Sequence, residues 1–255
     1  MSRTYEALKK AEAERGEVRS VPPLHPDPII SPPLNGRRSP RISLDLSSSV
    51  EEEYQKLRGN LFARPGKDGL RTVMLVGSNH GEGVTTTSTI LASVLARANV
   101  GEVVLVDANL RTPSFHDLFT SSGSTKGLSD LVTNGINPKA LVQPTSIPNL
   151  SVISAGRPLP SPSHLYQEPM ANLLVQLRKD FRYTILDCPP VKDYSDSSFL
   201  APKVDGIVLV IRAEWTKIET AIKTKRQLEW VGGQVIGTVL NGEKNYIPLA
   251  IQRLM

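Results

Sequence analysis

Residues 71–99 read RTVMLVGSNHGEGVTTTSTILASVLARAN, and the reading of the whole chain turns on them. The run 71–77 is short, apolar and rich in β-branched side chains, which predicts a strand buried on both faces of a parallel sheet. It ends in a glycine-rich turn. From Val84 onward, Ile90, Leu91, Val94 and Leu95 recur at helical spacing, so a helix leaves the turn and packs on the sheet. A strand, a glycine loop and a helix start together make a phosphate cradle, in which successive N–H groups and the positive end of the helix face an anion.

Set against the pattern G-x-x-x-x-G-K-[ST], the loop runs Gly77-Ser78-Asn79-His80-Gly81-Glu82-Gly83-Val84-Thr85-Thr86. Gly77 and Gly83 are read as its two glycines, and Thr85 stands where a hydroxyl would hold Mg²⁺. Val84 occupies the place of the lysine that reaches the β- and γ-phosphates. The competing reading is an ordinary strand-to-helix turn in another α/β fold.

A chain of 255 residues holds one sizeable α/β domain with appendages. The net charge of +5 is spread among acidic residues and not gathered into blocks, so it is weak evidence for an anionic partner and no basis for expecting nucleic acid. No run approaches the roughly 20 apolar residues that span a bilayer, and the N-terminus lacks the apolar core of a signal peptide. A cytoplasmic protein is expected. The single cysteine, Cys188, excludes an internal disulfide framework and reads as a small buried residue.

Four segments follow from composition and period. Residues 1–18 open with SRTYEALKKAEAER, dense in helix formers, which predicts an N-terminal helix that either docks or frays. Residues 19–46 carry Pro22, Pro23, Pro26, Pro28, Pro32, Pro33 and Pro40 and form a semi-rigid linker. The domain occupies 47–245. A tail, 246–255, completes the chain; its IPLAIQRLM is either a last turn packed on the domain or a short membrane-surface helix.

Within the domain, Ser49-x-x-Glu52 is a capping-box spacing, after which Tyr54, Leu57 and Leu61 share one helical face. Strands are expected at 102–107, 150–154, 183–187, 206–211 and 235–240, with helices at 127–134, 165–180 and 216–230. Alternating strands and helices imply right-handed crossovers and a mostly parallel, doubly wound sheet with helices on both faces. Asp107 and Asp187 each end a strand. If those strands neighbour the one that feeds the glycine loop, both carboxylates converge on the crevice, the arrangement of hard oxygen ligands that Mg²⁺ takes beside a polyphosphate. Taken singly, either aspartate is as readily a cap for a helix or a turn.

The segments GSNHGEGVTTTSTILASVLA, VVLVDANLRTPSFHDLF, GLSDLV and YTILDCPP resemble, in order and spacing, the Walker A, A′ and B segments of the bacterial tyrosine kinases of capsule and exopolysaccharide synthesis, a branch of the MinD/ParA-type P-loop ATPases. The resemblance implies a P-loop NTPase fold, ATP or ADP with Mg²⁺, and a nucleotide site made of Gly81, Glu82, Gly83, Val84, Thr85, Thr86, Asn109, Arg111 and Asn241. It further implies that Thr85, Asp107 and Asp187 hold the metal, that Asp107 assists deprotonation of a tyrosine, and that Asp187 is the Walker B carboxylate. A membrane co-polymerase as partner, recruitment to the inner face of the plasma membrane through it, and self-assembly complete the expectation.

The departures are equally specific. Both lysine places of the family, at Val84 and Asn79, are uncharged, and the second aspartate of Walker A′ is Asn109. The assembly motif E-x-x-R-x-x-R reads Glu52, Gln55, Arg58, and the C-terminal tyrosine cluster is reduced to Tyr246. A charge-assisted hydrogen bond to phosphate is worth about 1.5–3 kcal/mol, so ATP is expected to bind one or two orders of magnitude more weakly. Transfer suffers more, since losing one charge-stabilising group costs on the order of 10²–10³ in rate. Arg111, His80 and Lys192 are the candidate substitute cations. Three functions follow: an impaired tyrosine kinase, a regulatory pseudokinase, or a positioning ATPase of the MinD/ParA kind.

Overall fold

Strand by strand, apolar side chains alternate between two buried layers. In β1 (Thr72–Gly77), Val73 and Leu75 enter one hydrophobic cluster while Met74 and Val76 enter another, as a period of two requires. The same division holds in β2 (Val103–Asp107), where Val103 and Leu105 face one way and Val104 and Val106 the other. Covering both faces is what makes these runs continuously apolar.

The computed structural model describes residues 46, 48–62, 69–115, 126–133, 136–162 and 166–242. The expected N-terminal helix, nearly all of the proline linker and the tail, with Tyr246, lie outside the described residues. The remaining elements are α1 (Ser48–Phe62), α2 (Val84–Arg97), α3 (Ser129–Thr133), β3 (Gln143–Pro144), β4 (Leu150–Ile153), α4 (Glu168–Asp180), β5 (Tyr183–Asp187), α5 (Asp196–Leu200), β6 (Gly206–Arg212), α6 (Ile218–Trp230) and β7 (Val235–Asn241). They form a seven-stranded sheet ordered β3-β4-β2-β5-β1-β6-β7, parallel throughout except for the short β3 against β4.

Helices α1 and α2 cover one face through Leu61, Leu91 and Leu95. On the other, α4 contributes Met170, Leu173 and Leu177, and α6 contributes Leu228. This is the doubly wound α/β sheet expected from the alternation of strands and helices. Tyr54 and Leu57 pack with Leu61 as their spacing predicted, although α1 begins at Ser48, one residue before the capping-box serine. Two short pieces had no signal of their own: β3, only two residues long and containing Pro144, and α5, less than two turns.

Placement of β5 between β1 and β2 matters most for function. It puts Asp187 in register with Asp107 on one side and with Leu75 on the other, directly beneath the loop that leaves β1.

Candidate functional site

The loop after β1 is shaped by two glycines with distinct duties. Gly83 precedes α2 with φ 88° and ψ 24°, a left-handed conformation that strains any residue with a Cβ. Gly77 has ordinary backbone angles, but a Cβ there would lie 2.5 Å from Glu82 Oε2 and 3.0 Å from Val84 Cγ2. One part of the motif reading is corrected here. Five residues separate Gly77 from Gly83 where the pattern has four, so the register that sets Val84 and Thr85 at the lysine and hydroxyl places sets Ser78 at the first glycine's place.

The first turn of α2 carries no side-chain cap, and its leading N–H groups have no acceptor within the helix. Val84, Thr85 and Thr86 line a cleft of about 240 Å³ together with Asn79, His80 and Asn109. An uncapped helix start opening into a cleft is a ready anion site.

Thr85, which lines the cleft, donates from Oγ1 inward to Asp187 Oδ2 at 2.7 Å; Asp187 and Asp107, each 1% exposed, lie behind that lining and not on it. Asp107 accepts the N–H groups of Asn109, Ser114 and Phe115 at 3.1, 3.1 and 3.2 Å. Tyr166, itself fully buried, fixes the next peptide by donating to the Ala108 carbonyl at 2.6 Å. Burial pushes the Asp107 carboxyl up to about 6 despite those three donors. Burial and then the neighbouring Asp107 charge hold Asp187 well above the carboxylate range, against the opposing bond from Thr85.

Neither aspartate meets a cationic side chain among the described residues. Two buried carboxylates in register, uncompensated and beside a hydroxyl, fit a small divalent cation that completes its shell with phosphate and water. Among the described residues no group of three or more acidic, histidine or cysteine side chains converges, so an all-protein cage for a larger ion is not formed. Bound there, Mg²⁺ would supply the charge that screens phosphate oxygens during transfer.

Of the other expected site residues, Asn109 lines the cleft and closes a turn with Thr112, its Nδ2 2.9 Å from Thr112 Oγ1. Gly81 and Glu82 also line it. The Glu82 carboxylate is turned back on the loop, accepting from Ser78 N at 2.5 Å, Asn79 N at 3.0 Å and the Thr216 hydroxyl at 2.7 Å, so it braces the cradle. Asn241, at the end of β7, donates to the Glu82 carbonyl at 3.0 Å and so sits against the loop.

Arg111 is held elsewhere. Its guanidinium forks onto the buried Asp196 at 2.6 and 3.2 Å, donates to the Pro160 carbonyl at 2.6 Å and lies 4.4 Å over the Tyr194 ring. It is not among the cleft-lining residues. Asp196, Tyr194 and Thr216 carry no local motif. They reach the site because β5 and β6 flank β1, a neighbourhood that only the strand order reveals.

No family model matches the chain. It is 31% identical over 196 residues to the tyrosine-protein kinase CpsD of Streptococcus agalactiae, covering 76% of this chain and 84% of that protein. It superimposes on the chimerical protein CapA2B2 with a TM-score of 0.72 at 27% identity, covering 78% of this chain and 87% of the other. The kinase domain of the Escherichia coli tyrosine kinase ETK gives 0.71 at 28% identity, over 78% and 80% of the two chains. On this identity and coverage the chain belongs to the bacterial tyrosine kinase family, built on a P-loop NTPase fold.

Proposed function

We propose that the chain binds ATP with Mg²⁺ in the cleft of the 77–86 loop and acts in the polymerisation and export of capsular or exopolysaccharide, with tyrosine phosphotransfer slowed by the missing lysine. The observation that carries the reading lies just behind the cleft's lining: Asp107 and Asp187 in register, with Thr85, which does line the cleft, bonded to Asp187 at 2.7 Å. In this reading Thr85, Asp107 and Asp187 hold the cation. Asp107, whose carboxyl is pushed up to about 6, is the group placed to take a proton from an incoming tyrosine hydroxyl. The helix-start N–H groups of Val84, Thr85 and Thr86 receive the phosphates, and Asn109 and Asn241 support the loop's surroundings.

A membrane co-polymerase completes the proposal. Among the described residues no helix is long and apolar enough to cross a membrane; in this reading the partner brings the chain to the inner face of the plasma membrane. The test is phosphotyrosine formation on the purified chain with Mg-ATP, alone and with the partner's cytoplasmic segment, against an Asp107→Ala control. Signal in the intact chain and none in the control supports transfer. Absence from both removes it.

A second reading is favoured by one observation. Val84 packs its side chain against the core cluster of α2, leaving no cation at the lysine place. A nucleotide-binding regulatory subunit without phosphotransfer fits that feature equally. Submicromolar ATP binding with no phosphotyrosine in either arm of the experiment selects it.

A further inference from the structure

The loop that should hold a polyphosphate has no lysine, yet one of its own side chains carries a ring N–H donor. His80 lines the cleft, and no lysine or arginine lines it among the described residues. The nearby basic side chains are committed or set apart. Arg111 is bound to Asp196 and stacked on Tyr194. Arg212 reaches the Gly81 carbonyl at 3.4 Å and lies over Trp215, and it is not among the cleft-lining residues. Lys192 is exposed, tied to Ser78 only through its backbone N–H at 3.2 Å.

His80 is also positioned. Its Nε2 lies 3.6 Å from Asp193 Oδ2, and its ring meets Tyr194 edge to face at 6.1 Å between centroids. Both sit on the stretch after β5, opposite the loop. The acidic groups near it are Asp193, 3.6 Å from its Nε2, and Glu82 within the loop, with Asp107 and Asp187 buried behind the cleft's lining. Of these, Glu82 is saturated by Ser78, Asn79 and Thr216. His80 is half exposed, so the ring can turn from Asp193 toward an arriving anion without leaving a buried charge behind.

Building on the nucleotide-binding reading, we propose that the His80 side chain meets the polyphosphate in this loop, taking the part left open by the absent lysine. Glycine or proline at position 80 would leave the cradle to its backbone N–H groups alone.

Titrating the full chain with a fluorescent ATP analogue at constant pH, Mg²⁺ and ionic strength tests this. His80→Gln is expected to bind about tenfold more weakly than the native chain, the effect of one contact to phosphate, and His80→Lys at least as tightly as the native chain. An unchanged dissociation constant in His80→Gln overturns the role of His80 while leaving nucleotide binding intact. Absence of binding by all three proteins overturns the nucleotide-binding reading with it.

Discussion

Residue by residue, the site is defined by one absence and one burial. Val84 occupies the place from which a lysine would reach the phosphates, and its side chain already packs along the core face of α2. A lysine there could lay its methylenes on the same apolar surface and deliver its ammonium to the cleft. Val84→Lys is therefore expected to tighten ATP by roughly one to two orders of magnitude, read by fluorescence titration; an unchanged dissociation constant would count against the register assigned to the loop. Asp107 gives a pH dependence of definite sign. Its carboxyl is raised from 3.8 to about 6 by burial, so between those values the folded chain holds more protons than the unfolded one. Its contribution to stability is then greatest at acid pH and falls as pH rises through about 4 to 6. Without divalent cation, Asp107→Asn should flatten the pH slope of the urea unfolding free energy, while its amide nitrogen, unable to accept the N–H groups that one carboxylate oxygen takes, lowers the absolute value. Equal slopes in both proteins would refute the assignment. Asp205 works in the opposite sense, since the Thr72 and Arg71 N–H groups and the Arg178 guanidinium outweigh its burial and lower its carboxyl, so its contribution fades on acidification; comparing variant with parent removes it.

Among the elements, α2 and its entry turn are the most exacting. An alanine at Gly83 would have to hold φ near 88° and would drive its Cβ into the Asn241 amide. Gly83→Ala should cost about 2 kcal/mol or more by urea denaturation, since left-handed strain alone is worth roughly 1–2 kcal/mol, and should weaken nucleotide more than Asn241→Ala does. A larger binding loss from Asn241→Ala would show that Asn241 touches nucleotide directly. The main strands were legible from the sequence because they are buried on both faces, and α2 and α4 because one stripe of each is apolar. The strand-ending aspartates were legible for the same reason, an apolar run closed by a carboxylate. What stayed hidden was either too short for periodicity, as β3 and α5 are, or made by contact between distant segments. Arg111 and Asp196 are 85 residues apart, and Glu82 and Thr216 are 134 apart. No spacing rule joins such pairs, so Arg111, grouped with the nucleotide residues by resemblance, lies instead in an ion pair beside the cleft.

For the whole molecule, assembly is the property next in line for measurement. On α1, Glu52 is largely exposed and the Arg58 Nε is buried without an acceptor among the described residues. Glu52, Gln55 and Arg58 recur at three-residue steps along α1, the spacing on which the expected assembly contact rests. Arg58→Ala and Glu52→Ala are expected to shift sedimentation toward the single chain at equal concentration, and unaltered profiles would remove α1 from the contact. The backbone bonds from Cys188 N to the Leu75 carbonyl, Val191 N to Gly77 and Lys192 N to Ser78, 3.0–3.2 Å long, carry a consequence for motion. They rivet the opposite walls of the crevice together, so the two sides shift as one plank. A ligand that moved the loop would therefore carry the 188–192 stretch with it.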